Sequence, residues 1–271
     1  MNLIREMLSY PFLVRALAGG MMVSLCASLL GVSLVLRRYS MIGDGLSHVS
    51  FGALSIALAM GWSPLRISIP VVVLAAFFLL RITENSRIKS DAAIALISAS
   101  ALALGIIVTS LTTGMTTDVS SYMFGSILAM SREDVWLSVV LSLVVLGLFV
   151  ICYNRIFAVT FDENFAKATG VNVGRYNIII AVLTAVTIVL GMRMMGAMLI
   201  SSLIIFPALT AMRVCRHYRA VILTAVLLSV SSFALGMTVS FLLATPAGAS
   251  IVVVDIIFYC IFAAFGAIRA H

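Results

Sequence analysis

The chain has 271 residues, 63% of them hydrophobic and only 10% charged, with a mean hydropathy of +1.21. A soluble domain carries about a quarter charged residues, so this composition excludes one. The net charge of +7 does not mark a nucleic-acid binder, because the basic residues are scattered at the ends of apolar runs rather than clustered.

Charge-free runs at Ala16–Leu36, Ala92–Thr117, Val135–Asn154, Met194–Met212 and Ala220–Val254 are each near or above the roughly 18–20 residues that cross a bilayer as a helix. The pattern predicts an all-α polytopic membrane protein with eight to nine transmembrane helices, over 12–36, 44–61, 66–80, 91–112, 135–153, 176–192, 194–212, 220–243 and 249–268. No interval between spans can bury a separate core, so 1–271 reads as one transmembrane domain. An N-out, C-in orientation leaves Arg5, Arg15, Arg66, Arg132 and Arg193 outside and every other lysine and arginine in the cytoplasm, as the positive-inside rule prefers.

No cleavable leader is expected before the first span: Ala16-Leu17-Ala18 has the A-x-A form, but only a short apolar run broken by arginine precedes it. It ends at Arg37-Arg38, and the next stretch, RRYSMIGDGLSHVSFG, carries an unusual pair. Gly43 and Gly45 flank Asp44 and are expected to allow a tight turn ahead of the helix. Asp44 and His48, at i and i+4, share a helix face with Cβ atoms roughly 6 Å apart, and the same face continues through Gly52, Ser55 and Ala59. An ionisable residue at depth costs about 2.5–3.5 kcal/mol on insertion scales, so it is paired or functional. A carboxylate and an imidazole converging on one point suit a divalent transition metal, zinc especially. The alternative is an Asp–His hydrogen bond that joins two helices.

The segment 116–134 has an apolar core too short to span, and is read as a re-entrant or interfacial helix on the outer side. After the 135–153 span comes the longest cytoplasmic segment, about 155–175. There Asp162 is a candidate N-cap, Glu163 adds negative charge to the first turn, and Gly170 supplies a C-cap. The short helix between them, with small residues Ala166 and Ala168, is too short to stand alone and would gain stability by docking on a partner. Arg193, in a tight hairpin between spans, is expected to snorkel to the interface. In the last span Asp255 is a second deep charge, either a further ligand or a carboxylate paired with a hydroxyl or an arginine.

The four cysteines, Cys26, Cys152, Cys215 and Cys260, fall singly and without CxxC spacing, which fits small buried hydrophobes. There is no G-x-x-x-x-G-K-[ST] loop, no H-E-x-x-H and no G-x-S-x-G, so neither nucleotide binding nor hydrolytic catalysis is expected of this chain.

Four blocks in order, LRRYSMIGDGLSHVSFGAL, SYMFGSILAMSREDV, TFDENFAKATGVNV…GMRMMGAMLISSLIIFPALTAMR and TPAGASIVVV, resemble the permease subunits of bacterial zinc and manganese ABC importers. The resemblance implies a homodimeric permease of the bacterial cytoplasmic membrane. Each protomer would bind one cytoplasmic ATPase subunit, and an extracytoplasmic binding protein would deliver the metal. It implies that Asp44 and His48 line the path and contact the metal. It also implies that Glu163–Gly170 is the coupling helix, with Ala166, Ala168 and Gly170 entering the ATPase. Pro207 falls in a block like the family's LLIIPA signature and is given a structural role, since proline removes one backbone hydrogen bond. Manganese-type members carry an additional His and Glu in the penultimate span; LLSVSSFALGMTVSFLL here has neither. The expected cargo is therefore Zn2+, with Mn2+ or Fe2+ as the alternative, and no cofactor is bound permanently. Outside the family, a proton-coupled carrier and an intramembrane scaffold are the rival readings.

Overall fold

The computed structural model describes residues 9–85, 90–112 and 132–270. The expected interfacial helix at 116–134 lies almost wholly outside them. Ten helices make up the described residues: α1 (Pro11–Leu36), α2 (Ile42–Ala59), α3 (Pro64–Asn85), α4 (Ser90–Leu111), α5 (Arg132–Phe161), α6 (Glu163–Ala168), α7 (Val173–Met195), α8 (Ala197–Val214), α9 (Tyr218–Leu243) and α10 (Ala247–Ala270). Eight of them are long and apolar enough to cross a membrane. In α3 the apolar part is the shorter Leu65–Leu79. Every expected span corresponds to a helix.

The ends differ in places. The expected 135–153 span continues as helix to Phe161, through what reads as loop. Arg155 breaks the charge-free run but points outward, while Ile156 and Val159 are fully buried. The short 176–192 span extends to Val173–Met195, because the Asn172 side chain caps it by accepting from the Arg175 N–H at 3.2 Å. The turn expected at Gly43 and Gly45 falls earlier. Arg38 takes the left-handed conformation (φ 63°), with Tyr39 N–H bonded to the Leu34 carbonyl and Arg38 N–H to that of Val35, a Schellman ending to α1. Both glycines lie inside α2, where they admit close neighbours instead: a Cβ on Gly45 would meet Ile94 at 2.5 Å and one on Gly43 would meet Ile204 at 3.0 Å.

Membrane helices lack a hydrophobic drive to associate and rely on small residues that let backbones approach. α2 and α4 run side by side in parallel, with Gly52 against the Ala101 carbonyl (2.7 Å from where a Cβ would sit) and Thr109 donating to Ser55 at 3.3 Å. α1 and α9 run antiparallel, tied by Ser229 to the Ser24 carbonyl (2.9 Å) and by Ser33 with Tyr218 (2.9 Å). Gly31 of α1 abuts the Ile204 carbonyl of α8 with no room for a side chain. α1, α2 and α7 lie inside: 72% of the apolar window of each is buried, against 17% for α4 and α10. A smaller second core, Val159, Ala166, Val171 and Val173, sits apart under α6.

Candidate metal path and coupling segment

Asp44 sits in the first turn of α2, where a carboxylate is favoured by the unpaired N–H groups of the helix start. Its side chain is 43% exposed, and that of His48, one turn on, 14%. His48 Nε2 lies 3.7 Å from Asp44 Oδ1, beyond a hydrogen bond. Zinc bonds of about 2.0–2.2 Å to nitrogen and oxygen let one cation bridge that gap. The middle of the expected stripe turns away, since Gly52 and Ser55 are buried against α4. Among the described residues of that face, the Asp44–His48 pair is partly open, Gly52 and Ser55 are covered, and Ala59 at the far end of α2 is exposed.

Asp255 is held by serines within the bundle. Its carboxylate is 2% exposed and accepts from Ser202 Oγ at 3.0 Å, with the Ser232 hydroxyl also facing it. Ser202 lies on the side of α8 turned to α10, whereas its neighbour Ser201 touches Gly43 of α2. Among the described residues no three His, Cys, Asp or Glu side chains form a metal-holding group. Pro207 is buried inside α8, where it leaves the Leu203 carbonyl without its usual helical donor.

The 155–175 segment folds into α6 through the expected caps. Asp162 accepts from Asn164 and Phe165 N–H groups at 2.9 Å each, and Gly170 (φ 80°) ends the helix. There the Val171 N–H bonds to the Ala166 carbonyl and the Gly170 N–H to that of Lys167, again a Schellman ending. The small residues divide. Ala166 is fully buried in the second core, while Ala168 and Gly170 are exposed, beside Phe165 at 63%. Glu163 faces inward to Arg37 and Asn177. Sequence reasoning placed Arg37 at a helix end and did not find this partner.

The ABC 3 transport family model matches residues 9–266. The chain is 29% identical over 249 residues to the manganese transport system membrane protein MntC of Halalkalibacterium halodurans, covering 92% of this chain and 85% of that protein. It is 28% identical over 244 residues to the high-affinity zinc uptake system membrane protein ZnuB of Haemophilus influenzae, covering 90% and 94%. Among solved structures, PsaBC from Streptococcus pneumoniae in complex with Fab superposes with a TM-score of 0.86 at 30% identity, covering 96% of this chain and 94% of that one. The chain belongs to the ABC 3 transport family, as a multi-pass permease of the bacterial inner membrane whose ATP hydrolysis resides in a separate subunit.

Proposed function

We propose that the chain is the permease of an ATP-driven importer for a divalent transition metal, Zn2+ in the first place. The observation that carries this reading is the Asp44–His48 pair, a carboxylate and an imidazole spaced for one cation on the open face of an otherwise apolar helix. Two protein donors hold a metal without enclosing it; water or a second copy of the chain would supply the rest, and incomplete coordination lets the ion leave. One carboxylate with one imidazole, and no further His or Glu in α9, favours zinc over the harder, oxygen-preferring manganese. Manganese stands as the second reading because MntC, a relative of similar identity, is named for it.

An extracytoplasmic binding protein would deliver the metal to a homodimeric permease oriented N-out, C-in, with 1–271 as a single transmembrane domain. The exposed side of α6, with Phe165, Ala168 and Gly170, would seat in a groove of the cytoplasmic ATPase. Asp162 caps α6 in that geometry, and Ala166 supports it from beneath. Closure of the ATPase pair would then bias the spans between outward and inward states, the permease contributing a difference in metal affinity between them.

The test is metal accumulation in starved cells whose only high-affinity importer contains this chain. Asp44→Ala and His48→Ala, at wild-type membrane levels, are expected to lose zinc accumulation. Loss of manganese accumulation alone would keep the family and change the cargo. Normal import by both variants would reduce the pair to a helix contact.

A further inference from the structure

Arg37 closes α1, yet its side chain is only 7% exposed. Nη1 donates to Asn177 Oδ1 of α7 at 2.8 Å, and Nη2 makes a charge-assisted bond to Glu163 Oε1 of α6. The amide nitrogen of Asn177 reaches the same Glu163 oxygen at 3.5 Å. Three helices thus meet in one triangle of side chains. A guanidinium serves such a site because its planar fork satisfies two acceptors at once. A buried charge left unpaired is costly, so the triangle holds together or opens as a unit.

What the triangle joins gives it a use. Glu163 is the first residue of α6, which otherwise packs on α5 and α7. Arg37 leads through a tight corner into the helix of Asp44 and His48. That corner is hydrogen-bonded on both sides: Tyr39 N–H to Leu34, Ile42 N–H to Tyr39 at 3.1 Å and Gly45 N–H to Met41 at 3.0 Å. The Arg37 guanidinium also lies over the Tyr39 ring at 5.7 Å. No slack chain separates Glu163 from the start of α2.

We propose that Arg37 is a positioning residue that passes displacement of α6 to the Asp44–His48 segment, through the Arg37–Glu163–Asn177 triangle. This rests on the reading that an ATPase docks on α6, but not on which metal is carried.

The experiment follows the corner directly. Met41, just ahead of Asp44, is 48% exposed. Met41→Cys is placed in a chain with Cys26, Cys152, Cys215 and Cys260 replaced, and thiol labelling of the ATPase complex is compared with and without ATP plus vanadate. With Arg37 present, nucleotide is expected to change the labelling rate about tenfold. With Arg37→Met the change is expected to vanish. The exchanged pair Arg37→Glu with Glu163→Arg is expected to recover it, since the Asn177 amide can face either partner. Tyr218→Phe removes the hydroxyl that binds Ser33 of α1 without touching α6, and should respond like the parent. A full response in Arg37→Met, or no response in the parent, overturns the proposal. So does loss in Arg37→Met, the exchanged pair and Tyr218→Phe alike, which marks a general folding defect. Labelling requires no metal, so a cargo misassignment appears in the uptake assay and leaves this result standing.

Discussion

Ser202 donates its hydroxyl to the Asp255 carboxylate at 3.0 Å, joining α8 to α10 within the apolar bundle. Replacing the donor leaves a buried carboxylate short of a partner, at about 1–3 kcal/mol. Ser202→Ala is therefore expected to lower the melting temperature of the detergent-solubilised chain. Asp255→Asn keeps an acceptor for Ser202 and is expected to melt close to wild type and to import metal. Loss of uptake in Asp255→Asn with an unchanged melting temperature would make Asp255 a ligand instead.

The neighbouring arginines at the end of α1 should respond in opposite ways. Arg38 occupies a left-handed position (φ 63°) that costs a side-chain-bearing residue roughly 1–2 kcal/mol and that glycine takes freely. Arg38→Gly is expected to stabilise the chain by about 1 kcal/mol, and Arg37→Met to destabilise it, both read by thermal melting.

Around α6 the exposed and buried faces separate docking from folding. Phe165→Ala removes a ring that is 63% exposed, so the melting temperature should hold while the ATPase no longer co-purifies. Ala166→Leu overfills a fully buried position and is expected to cost about 1–3 kcal/mol. If Phe165→Ala retains the ATPase at wild-type yield, the docking face has been misread.

Gly52 sets the spacing of α2 and α4. A Cβ there would stand 2.7 Å from the Ala101 carbonyl, and backbone cannot step aside as a side chain can. Gly52→Val is expected to reduce monodisperse yield sharply, whereas Gly147→Ala, where a Cβ meets nothing within 4 Å, should be neutral. Size-exclusion profiles of the two decide this.

The spans were legible because a run without charge leaves a membrane helix no competing explanation. Their ends were not, as Arg155 shows: a charge stops an apolar run but stops a helix only if it must be buried, and Arg155 points outward. The Asp44–His48 pair was legible because both residues sit on one helix, where spacing fixes the geometry. Glu163 and Arg37 are far apart in sequence and lie on different helices, and an arginine at the end of a span reads alike whether it reaches for water or for a carboxylate. The burial of Ala166 was hidden for a similar reason, since alanine suits a docking face and a packed one equally.

Ile204 touches both arms of the first hairpin, its carbonyl against Gly31 of α1 and its side-chain tip against Gly43 of α2. Backbone against backbone leaves no compliant layer at this crossing of α1 and α8. A side chain added at Gly31 would therefore push α8 away as a body and, through the Ile204 tip, disturb the start of α2 as well.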